Sequence, residues 1–600
     1  MKYQIADVIE ATLRTQATTW GLFRNEKFPF SMGTYGRDER RGDYREDRRN
    51  LFDNNTELLV KIDKKIGDKF SVNALAGANL RTFDYNSNYA TTDYLNVPGV
   101  YNFANSANPV KIFNYKAAMA VKSAYYSADF SYKTFLTLST TGRVDQLSTL
   151  PNGNNTFFYP SVSGSFIVSD LLENLGPISF LKLRSSYANV KDGLTRSTIG
   201  TNPGASFPLG YGDDYSSSYD GPTYQNSAVY STPFGYNNAP AAFYTNTLNN
   251  PELQPNSTSQ WEIGTDVRFL KNRLTLDVAY WISDDGPRIF NLPLSTTTGY
   301  NSALVNGIKT QKKGIEVSIS GTPIKNSKGL TWEILGNWST FNERYTEIYP
   351  GVERLSQFFK IGDRVDKYYT STFIITPDGE LINDGGGRPI INPVAQYVGN
   401  LNPDWVWGLN NRISYKNWNL GVQFDGRVGG VISNYIQRQL FRGGRHIATI
   451  EGAMGTARLE DTKGNKTYVG EGVSVSNGLA IRYDVDGNIT NFDELKFAPN
   501  TTKQFLQDYV SRRYGPNGGN LMSRSFGKLR EVVIGYNLPT SFLQKTFIKQ
   551  MSVSVVGRNL LYFAEKDDID LDQFANGSQG SSDLQTPTMR RLGVNINLTF

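Results

Sequence analysis

The end of the chain constrains the fold more than any other stretch. Leu592, Val594, Ile596, Leu598 and Phe600 alternate without a fault against Arg591, Gly593, Asn595, Asn597 and Thr599. Successive side chains of an extended chain point to opposite faces, so this spacing predicts a strand with one apolar and one polar face. The pattern recurs in pairs. Trp261, Ile263, Val267 and Phe269 alternate with Glu262, Gly264, Asp266 and Arg268; after Lys271-Asn272 the run resumes as Leu274, Leu276, Val278, Tyr280 and Ile282. Two such runs across a tight turn predict a β-hairpin. The alternation returns in Ile315, Val317 and Ile319, in Leu330, Trp332, Ile334 and Trp338, and on both sides of the turn Lys416-Asn417.

Such a wall has water on one side and something apolar on the other, either a second sheet or lipid. Connection lengths separate the two. About 16 strands are expected, near 3–20, 55–63, 69–83, 112–123, 127–141, 157–169, 180–190, 258–270, 273–284, 312–321, 330–342, 404–415, 418–428, 525–538, 550–563 and 588–600. Short connections near 64–68, 124–126, 170–179, 271–272, 322–329, 416–417 and 539–549 alternate with longer ones near 21–54, 84–111, 142–156, 191–257, 285–311, 343–403, 429–524 and 564–587. A sandwich or propeller has no reason to put every long loop at one end. An outer-membrane barrel does, and its strands carry an apolar band outside and a polar lumen inside. Closure of the barrel also removes exposed strand edges. The expected fold is an all-β transmembrane antiparallel barrel in outer-membrane lipid. Trp281, Trp332, Trp338, Trp405, Trp407 and Trp418 fall in or at the ends of these strands, where rings favour the membrane–water interface.

Composition removes other functions. The 600 residues include no Cys and a single His, His446, which excludes disulfides, thiolate chemistry and any site needing two imidazoles. No run of about 20 apolar residues predicts a membrane helix, and the first ten residues carry no apolar signal-peptide core. Lys plus Arg at 62 against Asp plus Glu at 56 leaves a small excess. The mixed run Arg37–Arg49 reads as a solvated loop, so no nucleic-acid partner is expected. Carboxylates facing a lumen could pair as in glycosidases, but no pair stands out. Neither an enzyme, a metal nor a cofactor is expected.

Specific stretches resemble a known family. Asn250-Pro251-Glu252-Leu253, Trp261-Glu262-Ile263-Gly264-Thr265-Asp266, Asn306-Gly307, Lys313-Gly314-Ile315-Glu316 and Asn402-Pro403-Asp404-Trp405 resemble the barrel of SusC/RagA-type TonB-dependent transporters. So do Phe526-Gly527-Lys528-Leu529-Arg530, Gly535-Tyr536-Asn537-Leu538-Pro539, Gly557-Arg558-Asn559-Leu560 and the terminal strand, with pieces in order from roughly residue 110 to the end. The resemblance implies a barrel of about 22 strands, a plug, contact with TonB, and a SusD-like surface lipoprotein as lid. It implies import of a glycan or oligopeptide, and Phe600 as a signal for the barrel-assembly machinery. With about 16 strands and no plug recognised, residues 1–600 are expected to be the barrel portion of such a protein. A passive 16-strand porin and a surface adhesin or assembly barrel are the alternatives.

Candidate ligand- or lid-contacting residues are aromatics of the 201–257 loop: Phe207, Tyr211, Tyr215, Tyr219, Tyr224, Tyr230, Phe234 and Tyr236, with Phe243 and Tyr244 beside them. Apolar ring surface costs about 25 cal/mol per Å² to leave in water, so these rings pack on a ligand, a lid or one another. The acidic run Asp567–Asp572 lacks the glycine and bidentate glutamate of a calcium loop and reads as solvated. Asp384 followed by Gly385-Gly386-Gly387, after Thr376–Glu380, likewise lacks ligand spacing. Asp484-Val485-Asp486-Gly487-Asn488 reads as a turn, and His446 as an exposed loop residue.

Overall fold

In the computed structural model, period-two segments become one antiparallel wall. The structure describes residues 1–31, 39–172, 175–193, 197–200, 216–221, 226–228, 230–231, 242–356, 358–574, 580–582, 584, 586 and 588–600. Seventeen strands form the wall in chain order: β1 (Lys2–Ala6), β2 (Ile9–Phe28), β3 (Asp43–Ile66), β4 (Phe70–Leu95), β5 (Ser106–Tyr132), β6 (Leu136–Leu147), β7 (Thr156–Ile167), β8 (Ile178–Asp192), β9 (Asn256–Phe269), β10 (Leu274–Asp285), β11 (Lys309–Lys325), β12 (Leu330–Glu347), β13 (Trp405–Tyr415), β14 (Trp418–Val428), β15 (Phe526–Asn537), β16 (Gln550–Ala564) and β17 (Arg591–Thr599). Each pairs antiparallel with the next, and among the described residues no ladder joins β1 to β17. An odd count of alternating strands makes those two edges run the same way.

Short and long connections alternate along the wall, as the sequence predicts, except around β7, where 148–155 and 168–177 are of similar length. The turn after β9 places Leu270, Lys271 and Asn272 in the left-handed region at φ 52°, 58° and 64°, and Lys416 does the same after β13 at φ 54°. Two boundaries differ from the sequence expectation. The segment expected as one strand at 3–20 is a hairpin, β1 and β2. The turn expected at 124–126 is absent: β5 runs unbroken for 27 residues, and the reversal comes after Tyr132. Among the described residues the wall has 17 strands, against about 16 expected.

β3, β4 and β5 have 24, 26 and 27 residues. At about 3.3 Å per residue they span roughly 80–90 Å, three times an apolar band of about 25 Å. Their turn-proximal halves carry the band; their distal halves stand beyond it as a tall hairpin stack. Within the band, apolar residues line up across strands. Trp261 lies opposite Tyr187 and Ile282, and Ile263 opposite Tyr280. Leu58 lies opposite Leu13, and Phe130 opposite Val72 and Leu138. Most of these side chains are exposed, Ile263 at 62% and Trp261 at 59%, while Val72, Tyr187 and Ile282 are half-buried. A contiguous exposed apolar belt of this size has lipid as its solvent. Rings gather at the turn end, with Phe70 against Tyr132 at 4.8 Å and Trp418 against Tyr536 at 4.8 Å between centroids. Phe600 stacks on Phe547 there at 5.5 Å. Trp281 departs from the interface expectation: it points inward and donates from Nε1 to Glu316 Oε1 at 3.3 Å.

The long connections are built structures. Between β14 and β15, helices α1 (Tyr435–Arg442), α2 (Gly452–Asp461) and α3 (Leu506–Tyr514) pack around Phe441, Ala457, Leu506, Tyr509 and Val510. Asn434 caps α1 by accepting from the Gln437 N–H at 2.9 Å. Ile374 and Ile382 of the β12–β13 connection pack with Val473 of the β14–β15 connection. The Asp484–Asn488 stretch is a turn, as the sequence predicts: Asp484 Oδ1 accepts from the N–H groups of Asp486 and Asn488 at 2.9 and 2.8 Å. His446 is not a free loop residue. Its ring stacks on Phe441 at 3.9 Å and its Nδ1 accepts from the Ala448 N–H at 3.2 Å.

Burial of the imidazole pushes the His446 pKa below its ordinary value. The fold thus favours the neutral ring. The unfolded chain takes up the proton first, so stability from this site is complete above about pH 6.5. It falls as the pH drops from there toward the folded pKa. Because His446 is the sole histidine, a labelled-histidine NMR titration reads it directly. The expected midpoint lies below that of a histidine model peptide; a midpoint at or above it would refute the packed environment.

Candidate functional site

Alternation that sends apolar side chains to lipid sends the intervening residues to the inner face. Arg184 there donates to Asp277 across β8, β9 and β10 at 2.7 and 2.8 Å, and Arg268 pairs with Asp266 at 3.1 Å. Higher on the wall, Arg81 of β4 forks onto Asp53 of β3 at 2.7–3.2 Å. Arg143 of β6 donates to Asp145 and to Ser123 Oγ, both at 2.8 Å, and Tyr159 donates to the other Asp145 oxygen at 2.5 Å. The Arg143 guanidinium also lies 5.5 Å over the Tyr125 ring, and Tyr125 donates to Glu57. That ring fits only because residue 77 is glycine: a Cβ at Gly77 would stand 2.5 Å from Tyr125 Cζ.

These charges rim a cavity of about 670 Å³ on the inner face of the long-loop end. Arg81, Arg143, Asp145 and Asp192 supply its polar lining; Phe83, Met119, Leu147 and Phe157 supply its apolar lining. The apolar members continue into a buried cluster with Tyr85, Leu150, Leu253 and Leu304, which ties β4–β7 to the β8–β9 and β10–β11 connections. A concave site with a fixed apolar floor and a few oriented charges is built to hold a small or oligomeric solute. Sequence reading missed these residues because it ended a strand at 83 and placed a turn at 124–126, which loses the inner-face parity.

The mixed run before Arg49 also differs from expectation. From Asp43 it is strand, not loop, and Asp43, Arg45, Asp47 and Arg49 are all buried on one face. Arg49 Nε donates to Asp47 Oδ1 at 3.0 Å.

The acidic run is solvated only at its start, where Asp567 and Asp568 are exposed. Ile569 and Leu571 are buried with Ile432, Met522, Phe526 and Phe574, and the intervening carboxylates turn onto the inner wall. Asp570 accepts from Lys528 at 2.7 Å, and Asp572 accepts from Arg530 at 2.5 and 2.8 Å. Arg530 also holds Asp425 at 2.7 and 2.8 Å. Its guanidinium keeps the Asp572 carboxyl below the usual carboxylate range.

Of the loop aromatics, Phe207, Tyr211, Tyr215, Tyr224, Phe234 and Tyr236 lie outside the described residues. Tyr219 falls in the short strand Ser216–Gly221. Tyr230 packs on Tyr244 with centroids 4.7 Å apart and their hydroxyls hydrogen-bonded at 3.1 Å, while both remain 63% exposed.

No family profile matches the chain. Curated sequences do. TonB-dependent receptor P39 of Formosa agariphila is 23% identical over 642 residues, covering 98% of this chain and 57% of the relative. TonB-dependent receptor P3 of the same organism is 23% identical over 522 residues, covering 80% of this chain and 45% of the relative. TonB-dependent receptor SusC of Bacteroides thetaiotaomicron is 23% identical over 228 residues, covering 33% of this chain and 22% of its own. The chain thus spans about half the length of the longer-matching relatives. Among solved structures, the RagAB peptide transporter superposes over 100% of this chain and 61% of its own, with a TM-score of 0.70 at 17% identity. By sequence likeness and by fold, the chain is similar to SusC/RagA-type TonB-dependent receptors, which are β-barrel proteins of the outer membrane.

Proposed function

We propose that this wall serves TonB-dependent import of a nutrient, a glycan or an oligopeptide, across the outer membrane. The observation that carries the reading is the cavity of about 670 Å³ at the long-loop end of a charged inner wall, above an exposed apolar belt. Solute would be captured there, beneath a SusD-like surface lipoprotein, and released inward when TonB acts on the whole protein. Likeness to TonB-dependent receptors supports coupling to TonB, and likeness to the RagAB peptide transporter favours a peptide among the two cargo classes. A self-contained 16-strand porin gains no support from a wall of 17 strands whose first and last run the same way.

Uptake by cells carrying the full-length receptor tests this. Import of the nutrient is expected to stop when the proton gradient is collapsed, and the purified receptor is expected to bring down a SusD-like lipoprotein. Uptake that persists without the gradient would overturn TonB coupling.

A further inference from the structure

The inner wall of β14 and β15 carries more positive charge than its own carboxylates answer. Arg427, Lys528 and Arg530 sit there with Asp425, joined by Arg524 from the segment before β15 and by Asp570 and Asp572 from the connection after β16, while Glu531 of β15 is held by Arg558 of β16 at 2.6 Å. The three carboxylates are taken by Lys528 and Arg530. Among the described residues, neither Arg427 nor Arg524 has a carboxylate within ion-pair distance.

Both are held in place. The Arg427 guanidinium lies 4.9 Å over the Phe526 ring, on the inner parity of β14. Arg524 is 1% exposed; it donates to the carbonyls of Leu401 (2.7 Å) and Phe574, and its Nε is buried without a partner. Burial and the neighbouring Arg427 charge push the Arg524 pKa down to about 10. Two guanidinium groups of like charge, one of them buried with an unused donor, make a strained pair that a bound anion would relieve.

We propose that Arg427, backed by Arg524, is a receiving site for an oxyanion, the carboxylate or sulfate group of an acidic cargo. The planar guanidinium fork matches a two-oxygen acceptor, and the Phe526 ring fixes its plane. Asp570 and Asp572 act as internal counter-ions: by occupying Lys528 and Arg530 they leave Arg427, among the described residues of this wall, open to an incoming group. The assignment rests on the inner wall carrying cargo.

The test uses the full-length receptor purified in detergent, with calorimetric titration of trigalacturonate, triglutamate, neutral maltotriose and inorganic sulfate. An acidic oligomer is expected to bind at least ten-fold more tightly than maltotriose. Arg427→Gln is expected to abolish that margin and Arg427→Lys to keep part of it; retained heat-modifiability on gels shows that each variant is folded. Arg427-dependent binding of sulfate with none of either oligomer would assign the site to a free ion and overturn the cargo-borne group. Equal affinities in wild type and Arg427→Gln for every probe would overturn the site altogether. Gradient-driven uptake, measured separately in cells, shows whether import itself stands when this site fails.

Discussion

Ile319→Arg is expected to destabilise the wall by about 2–4 kcal/mol, while Ser318→Arg on the adjacent residue is expected to cost less than about 1 kcal/mol. The two positions differ in nothing but parity. Ile319 of β11 lies opposite Leu276 and Gly336 on the outer face and is 47% exposed. Ser318 lies opposite Asp277 and Asn337 on the inner face. An arginine at 319 must either enter hydrocarbon or bend toward the headgroups; an arginine at 318 meets a carboxylate and water. Denaturant unfolding of the full-length receptor refolded into phospholipid vesicles reads both. Equal costs would mean that the exposed apolar belt does not face lipid.

The same parity decides how much of the molecule is legible in its sequence. Within the belt, lipid imposes apolar residues at every second position, so hairpins such as β9–β10 and β13–β14 can be read directly. Beyond the belt no solvent imposes a pattern. In β4 and β5 the inner face becomes apolar at Phe83, Tyr85 and Met119, while the outer face becomes polar, and the strands look as if they end. The true strands continue because the backbone ladder does not depend on which face is greasy. Charged strands are harder still. Asp43, Arg45, Asp47 and Arg49 alternate as a strand should, and Ile569 and Leu571 anchor a non-strand segment among the aspartates, but a run rich in charge resembles a solvated loop until its partners are known. Those partners are distant: Lys528 and Asp570 are separated by 42 residues and Arg143 reaches Ser123 of another strand. The cavity was invisible for the same reason, since it joins inner-face residues of β4 to β8 that share no local motif.

Asp570→Ala is expected to cost on the order of 3 kcal/mol and to free the 565–574 segment. Lys528 is 3% exposed in its side chain and donates to Asp570 at 2.7 Å. Removing that acceptor leaves a buried ammonium with only Asp572 at 3.6 Å, and Asp572 is already claimed by Arg530. Removing both charges is a different experiment. In Lys528→Met with Asp570→Leu no buried charge is stranded, and most of the loss is expected to return, because the segment is anchored mainly by Ile569, Leu571 and Phe574. Acid is expected to weaken the neighbouring Asp572–Arg530 pair of the same segment. The Asp572 pKa is held down by Arg530, so its contribution is complete above about pH 4 and is lost as the pH falls through the lower folded value. Hydrogen exchange of the Leu571 N–H, which donates to the Tyr562 hydroxyl at 3.0 Å, follows the segment directly. Protection should drop in Asp570→Ala and return in the double variant. Unchanged protection in Asp570→Ala would show that the apolar anchors suffice and that the ion pairs serve only the electrostatics of the inner wall.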